Sequence, residues 1–381
     1  MQTARKVIAT SDRSRFLTLG VADARRAEDL AIQVCHLDAR LGASGLADGW
    51  QNRADLNEAT MSIQMDGALV DLGDLVLHDA NMNTRAPSYE LGRAAAALQA
   101  YRLARQRPAP WPLTHRGIVS LAGGVAAKVE PDERRAADDQ KSRADDDGEQ
   151  SRPKDDDVDP FAIQFAEIDA LIARTGRVLR GEEAAVEKRS LALLDEQEAH
   201  EEAEDQWFSV LSDLEALPSV QAAAFGWQAW RELRLYERQP WLGLIVAGAI
   251  LRSRGLTGHI LPLAAGFRAA GYRGRQMITQ EMAVGTFCDV LQEALRIANA
   301  DLSTLSLNRD RMSVRLAGRR KGSKLKDLVD LFLSRPIVTM PMAGSLLDVT
   351  PRAVKLMFDE LGPSLPRELT QRSRYRAWGI I

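Results

Sequence analysis

Apolar residues recur at intervals of three and four along most of the chain, and this spacing predicts helices. In residues 22–41, Leu30, Val34, Leu37 and Leu41 fall on one stripe of an amphipathic helix. The alternating pattern that indicates a strand does not occur in the sequence before residue 367. The fold is therefore predicted to be mostly α. Further helices are predicted over residues 59–77, 89–106, 161–173, 182–217 and 286–300.

Near the C-terminus, two short helical patterns separated by a turn predict a helix-turn-helix. Thr339 and Pro341 are suited to begin the first helix, because threonine caps a helix and proline is tolerated in its first turn. Residues 348–349 then turn the chain, and Thr350 with Pro351 repeats the same start for a second helix.

The polar and apolar positions of these two helices predict which faces are exposed. Thr350, Arg352 and Lys355 point outward at the N-terminal end of the second helix, where a recognition helix meets base edges and phosphates. They are therefore predicted DNA contacts. The residues predicted to be buried are Ala343, Leu346 and Leu347 on the first helix, and Val354, Met357 or Phe358, and Leu361 on the second.

Basic residues flank the helix-turn-helix on both sides. The pattern of residues 367–381 predicts a wing, in which two short strands are joined by a polar turn at residues 371–374. Arginines in such a wing are placed to meet a phosphate backbone. The further predicted DNA contacts are Arg372, Arg374 and Arg376 in the wing, and the cluster Arg319, Arg320 and Lys321 upstream.

The charge of the chain is unevenly distributed. Residues 308–381 contain fifteen Lys or Arg against seven Asp or Glu, a net charge of +8, whereas the whole chain carries −3. The remainder therefore carries −11. A basic segment on an acidic body is typical of a nucleic-acid-binding module. The alternative is a winged helix that serves only for protein packing or dimerisation.

Composition adds the broad class of protein. The chain has 381 residues, 45% of them hydrophobic, which fits a globular protein of two or three domains. Its two cysteines, Cys35 and Cys288, suit no metal-ligand spacing and are predicted to be buried thiols. The start lacks the apolar core of a signal peptide, and the longest apolar run, residues 241–251, is too short to span a bilayer. A cytoplasmic protein without membrane contact is expected.

One segment rich in charged residues divides the helical regions. It contains two runs of three aspartates and hardly any aliphatic residue, so it cannot bury enough apolar surface to offset its ordering entropy. The predicted organisation is an N-terminal helical region at 10–128, a disordered acidic linker at 129–160, a second helical region at 161–305 and a winged helix-turn-helix at 306–381.

No cofactor is predicted. Glu196, His200 and Glu204 lie at i, i+4 and i+8 of a predicted helix and could share a face that binds a divalent metal. The helix is crowded with carboxylates, however, and a solvated acidic face is the favoured interpretation.

A short motif resembles the N-terminal region of Fic-domain proteins. In that family a Ser or Thr, followed after three residues by Glu with Gly or Asn, forms an inhibitory helix whose glutamate pairs with an active-site arginine. Ser62, Asp66 and Gly67 match those places, with aspartate one methylene shorter. The resemblance implies a helical Fic-like body, with the second helical region as a remnant of the catalytic core.

The catalytic residues of Fic proteins have no counterpart in the sequence. Fic enzymes use His-Pro-Phe followed by Gly-Asn-Gly-Arg and a second arginine, and neither motif is present. When residues 236–251 are placed on that loop and helix, Leu244 stands where the second arginine belongs. The expectation is Fic-like ancestry without transferase chemistry, hence no enzyme. Asp66 is then interpreted as a capping or surface residue.

The whole chain also resembles a rhizobial-type family of uncharacterised proteins, often plasmid-borne, which combine a domain of unknown function with a helix-turn-helix DNA-binding domain. Membership implies DNA binding and leaves the role of the helical body open. The matching stretches are residues 37–44, 75–80, 85–87, 315–320, 349–353 and 374–379.

The sequence thus predicts a transcriptional regulator that binds double-stranded DNA. Arg352 and Lys355 would enter the major groove, Thr350 would cap its helix against a phosphate, and the body would form a homodimer or receive a signal. Two alternatives are a divergent Fic-like nucleotidyl or phosphoryl transferase, and a toxin–antitoxin or plasmid-maintenance component that binds its own promoter.

Overall fold

The computed structural model describes residues 21–82, 86–123, 186–272, 278–316, 323–370 and 376–381. The predicted acidic linker at 129–160 and the predicted helix at 161–173 lie outside these ranges. The described parts of Met1–Val125 and Gln206–Ile381 form one compact unit, and Ala126–Asp205 is a second, described from residue 186.

The described residues are mostly helical, which confirms the predicted fold class. The helices are α1 Val21–Ser44, α2 Ala47–Met65, α3 Leu72–Asp79, α4 Tyr89–Gln106, α5 His115–Gly123, α6 Val186–Leu214, α7 Ser219–Glu232, α8 Trp241–Ser253, α9 Leu263–Ala269, α10 Gln280–Ser313, α11 Leu325–Ser334, α12 Met340–Leu347 and α13 Pro351–Leu361. The strands are β1 Val338–Thr339, β2 Arg367–Glu368 and β3 Ala377–Gly379. Within the described ranges, no helix is both long and apolar enough to cross a membrane.

The prediction of a single helix over residues 59–77 is wrong, because the structure has two helices there. α2 ends at Met65, and Gly67 adopts a φ of +88°, a left-handed conformation that side chains other than glycine rarely tolerate. The Asp71 carboxylate then accepts hydrogen bonds from the backbone N–H groups of Gly73 (2.8 Å) and Asp74 (3.3 Å) and starts α3. The chain therefore breaks between the C-cap of α2 at residue 66 and the N-cap of α3 at residue 71.

Two further corrections concern burial and strands. Cys288 is buried, as predicted, but Cys35 is exposed, because it follows Val34 on α1 and points away from the stripe that contains Val34 and Leu37. β1 was not predicted, since two residues are too few to show the alternating pattern of a strand. The three strands form an antiparallel sheet in the order β1-β3-β2.

α2 lies at the centre of the compact unit and carries buried polar residues that bond to other elements. The Glu58 carboxylate accepts hydrogen bonds from the backbone N–H groups of Ala264 (2.8 Å) and Ala265 (3.0 Å) at the start of α9. Its burial raises the pKa of the Glu58 carboxyl to about 8. The Trp50 indole donates to the carbonyl of Ala298 on α10 at 3.0 Å. These contacts fix α2 against both helices.

The N-terminal half of α2 also contacts the C-terminal segment that begins with α11. The Arg53 guanidinium is buried and donates to five backbone carbonyl oxygens at 2.6–2.8 Å. A Cβ on Gly49 would lie 2.0 Å from the Leu333 carbonyl oxygen, so the backbones of α2 and α11 touch. The five acceptors are the carbonyls of Gly49, Phe332, Leu333, Arg335 and Ile380.

We expect Arg53→Lys to lower the free energy of unfolding by about 2–4 kcal/mol, because an ammonium with three N–H donors leaves buried carbonyls unsatisfied. The measurement is urea unfolding followed by circular dichroism. Arg296→Lys is the matched control, since Arg296 is exposed and pairs with Glu293 three residues earlier on α10. The control should change stability by less than about 0.5 kcal/mol. Equal small losses for both variants would contradict the structural role of Arg53.

Candidate nucleic-acid interface

α11, α12 and α13 pack with the small sheet around an aromatic core. The ring of Phe358 on α13 lies 5.6 Å from Phe332 on α11 and 5.0 Å from Trp378 on β3, in centroid separation. Such tilted ring pairs add to the apolar burial that holds the elements together. Phe358 therefore links α13 both to α11 and to the sheet.

Local hydrogen bonds set the start of α12 and α13 at the predicted residues. The Thr339 hydroxyl accepts from the backbone N–H of Met342 at 3.2 Å, and the Thr350 hydroxyl accepts from that of Ala353 at 3.3 Å. Asp348 ends α12 with a φ of 53°, a left-handed conformation that Asp adopts more readily than most residues. The predicted turn at 348–349 and both caps are confirmed.

The predicted inner face of α13 is confirmed, and both Met357 and Phe358 are buried along with Val354 and Leu361. On α12 the burial of Leu346 was predicted wrongly. Ala343 and Leu347 are buried, whereas Leu346 is 49% exposed. Successive residues of a helix are rotated by about 100° around its axis. Leu346 therefore points away from the buried face on which Leu347 lies.

The outer face of α13 presents the predicted polar residues. Thr350, Arg352 and Lys355 are all exposed, and the last two lie three residues apart on the same side of the helix. Leu356 was not predicted as a surface feature, although it is 62% exposed beside Lys355. The exposure of Leu356 could have been predicted from the sequence, because Leu356 lies outside the apolar stripe that contains Val354 and Leu361. The N-terminal part of the exposed surface of α13 is thus cationic with an apolar side chain, a combination suited to phosphates and thymine methyl groups, whereas Asp359 is exposed near its C-terminal end.

Only part of the predicted wing can be described. β2 and β3 are its two strands, whereas Arg372, Arg374 and the turn at 371–374 lie outside the described residues, as do Arg319, Arg320 and Lys321.

Arg376 is exposed at the start of β3. Its guanidinium donates to the Glu368 carboxylate and lies over the Trp378 ring at 5.0 Å. That hydrogen bond lowers the pKa of the Glu368 carboxyl and raises the pKa of Arg376. Contact with DNA would require Arg376 to exchange this carboxylate for a phosphate.

The residues that resemble a Fic inhibitory motif lie at the opposite end of α2 from Gly49 and Arg53. Ser62 is buried, and its hydroxyl donates to the Ala59 carbonyl at 3.0 Å. Asp66 is the C-cap residue of α2, as interpreted from the sequence, and pairs with Arg93 on α4 at 2.8 Å. These contacts are within the helical body and give Asp66 a structural role.

The candidate metal-binding group on α6 is described in part. His200 Nε2 lies 3.5 Å from Glu204 Oε1, an i, i+4 pair on α6, and the side chain of Glu196 lies outside the described residues. Among the side chains that are described, no three of His, Cys, Asp or Glu come close enough together to hold a metal ion.

The fold and this surface define a helical protein with a C-terminal helix-turn-helix DNA-binding domain. Residues 325–381 match the family "HTH DNA binding domain", and residues 193–317 match the family "Protein of unknown function (DUF1612)". The chain is also 33% identical over 378 residues to the uncharacterized protein y4cF of Sinorhizobium fredii (strain NBRC 101917 / NGR234), covering 94% of this chain and 96% of that protein. The chain belongs to the family of y4cF. This confirms the predicted rhizobial-type family; neither family match concerns Fic proteins.

We expect Thr350→Ala to increase amide hydrogen exchange in the first turn of α13 about fivefold, because loss of a helix cap costs roughly 1 kcal/mol. Thr350→Ser is the matched control, since it keeps the hydroxyl that accepts from Ala353. The measurement is hydrogen exchange resolved to the peptide that covers residues 350–358. An unchanged exchange rate in the alanine variant would show that the cap contributes nothing to this helix.

Proposed function

We propose that this protein is a transcriptional regulator that binds double-stranded DNA through α13. The observation that carries the proposal is the exposed pair Arg352 and Lys355 at the start of a helix that lies in the segment matched by the DNA-binding family. The inner face of the same helix is fixed by Phe358 against Phe332 and Trp378. A helix that is anchored on its inner face and cationic at its exposed N-terminal end suits insertion of that end into a major groove.

The two exposed cations have different roles in this proposal. Arg352 is planar and donates two parallel hydrogen bonds, so it suits the O6 and N7 acceptors of a guanine in the major groove. Lys355 acts as a point charge toward a phosphate. Arg376, together with the predicted wing residues Arg372 and Arg374, contacts the backbone or the minor groove without reading sequence. Thr350 lies at the helix start, where a phosphate is favoured by the helix dipole.

The experiment that tests the proposal is selection from a genomic DNA fragment library with the purified full chain at two salt concentrations. We expect recovery of a discrete site whose enrichment persists at the higher salt, since base contacts depend less on salt than phosphate contacts do. A homodimer would select two half-sites whose centres are about 34 Å apart. Unselective binding that is lost with salt would refute sequence-specific regulation, and no binding would refute the DNA-binding role itself.

Substitutions separate the proposed roles of the basic residues. We expect Arg352→Ala to weaken binding to the selected site by about 5- to 150-fold, with a smaller loss on unrelated DNA, because a guanine contact contributes roughly 1–3 kcal/mol of discrimination. Arg374→Ala should weaken binding to both DNAs by about the same factor and reduce the salt dependence. The measurement is titration of labelled duplexes by fluorescence anisotropy.

The control for these titrations is Arg296→Ala, which removes an exposed arginine from α10 and should bind both duplexes as the native chain does. Equal losses on both duplexes for Arg352→Ala would contradict base recognition by that residue.

A second proposal concerns the origin of the helical body, and one observation favours a Fic-like origin. Ser62 and Asp66, which resemble the inhibitory motif, line the same cavity as Leu244, which stands in the place of the second Fic arginine. A leucine cannot bind a phosphate, so we propose that the body has no transferase activity. The test is thermal unfolding with and without ATP and magnesium. We expect no change in Tm, and a rise of several degrees would instead support a rebuilt nucleotide site.

A further inference from the structure

Leu356 lies near the middle of the outward face of α13. The buried residues of this helix, which define its inner face, are Val354, Met357, Phe358 and Leu361. Successive helix residues are rotated by about 100°, so the direction opposite to the middle of the inner face lies about 10° from Arg352 and about 30° from Leu356. Both side chains are exposed. Arg352 and Leu356 therefore form the outermost line of the helix, whereas Lys355 lies to one side of it.

The packing of the helix does not account for this leucine. Its side chain is 62% exposed, so it adds little apolar burial, and the inner face holds the helix in place without it. Single exposed leucines are ordinary on protein surfaces, and the surroundings of Leu356 distinguish it from that case. It lies on the helix proposed to enter DNA, in the segment that matches the DNA-binding family.

The charges around Leu356 favour DNA as the molecule that covers it. Arg352 lies one turn before Leu356 and Lys355 directly before it, and both are exposed cations in a segment that carries +8 over residues 308–381. Asp359 is exposed one turn after Leu356, where it repels phosphates. The part of the outward face that a phosphate backbone can approach therefore begins at Thr350 and ends near Leu356.

Among the four bases, thymine alone presents an apolar group in the major groove, its C5 methyl group. A leucine side chain forms no hydrogen bonds, so covering the donors and acceptors of the other base edges would leave them unsatisfied. Arg352 and Leu356 are about 6 Å apart along the helix axis, and neighbouring base pairs are about 3.4 Å apart. Leu356 therefore reaches a base about two pairs away from the one that Arg352 contacts.

We propose that Leu356 determines specificity for thymine, because its side chain packs on the C5 methyl group of a thymine in the major groove. That thymine lies about two base pairs from the guanine bound by Arg352. The proposal rests on the proposed function, in which α13 enters the major groove and Arg352 reads a guanine. Arg352 alone selects a guanine in any context, whereas the two side chains together select a guanine and a thymine at a fixed spacing.

The test uses duplexes in which deoxyuridine replaces thymidine, a change that removes the C5 methyl group and keeps every hydrogen-bonding group. Each thymidine of the site recovered by selection is replaced singly, and binding of the purified full chain is titrated by fluorescence anisotropy. We expect one replacement, about two base pairs from a guanine, to weaken binding by roughly fourfold, the factor that corresponds to burial of one methyl group.

Substitution of the leucine provides the second arm of the test. Leu356→Ala should bind the thymidine duplex and that deoxyuridine duplex with equal affinity, because the side chain that contacts the methyl group is gone. Alanine favours a helix at an exposed position, so the fold should be retained. Leu346→Ala is the matched control, since Leu346 is an exposed leucine on α12 rather than α13 and its loss should preserve the difference between the two duplexes.

The outcomes separate this proposal from the proposed function. A discrete site whose affinity is unchanged by every deoxyuridine replacement would overturn the role of Leu356 and leave sequence-specific binding intact. Equal sensitivity to the methyl group in Leu356→Ala and the native chain would do the same. Failure to recover any discrete site would overturn both proposals. If circular dichroism shows that Leu356→Ala does not fold, the deoxyuridine replacements on the native chain decide the question.

Discussion

The Arg53 guanidinium is the contact on which the arrangement of the molecule depends. It is buried, and burial lowers its pKa to about 10, while nearby Asp301 opposes this shift. All five of its N–H groups donate to backbone carbonyls. Two of these carbonyls are on α11, one belongs to Arg335 directly after α11, and one belongs to Ile380 near the C-terminus. Because a desolvated cation is tolerated only when its hydrogen bonds are complete, these bonds hold α11 and the residues around Ile380 against α2.

α2 connects this contact to the rest of the body. Its 19 residues span roughly 28 Å, with Gly49 and Arg53 against α11 near one end and Ser62 and Asp66 at the cavity near the other. Between these ends, Glu58 is bonded to the start of α9. The helix is therefore tied at several points along its length, and it contacts α11 near one end and lines the cavity near the other.

The sequence predicted the elements whose signals are local. The caps at Thr339 and Thr350 and the inner face of α13 depend on residues within a few positions, so the helix-turn-helix could be predicted in detail. The N-terminal half of α2 was missed, because it is buried on several sides and shows no amphipathic stripe. The acceptors of Arg53 on α11 and near the C-terminus lie about 280 and 327 residues away, and no local pattern indicates contacts of that separation.

The distribution of charge constrains how such a molecule can approach DNA. Arg352 and Lys355 are exposed on α13, and exposed charges add little to folding stability, so the packing of the helix does not account for them. The segment from 308 to 381 carries +8, whereas the rest of the chain carries −11, of which −7 lies in residues 129–160, so a phosphate backbone is attracted to the first segment and repelled by the remainder taken together. In the proposed DNA complex, the cations of the basic segment attract the phosphate backbone, whereas the acidic charges of the remainder disfavour its approach elsewhere. Under the proposed function, the orientation of binding would follow from the position that Arg53 gives the basic segment and from where the cations lie along the chain.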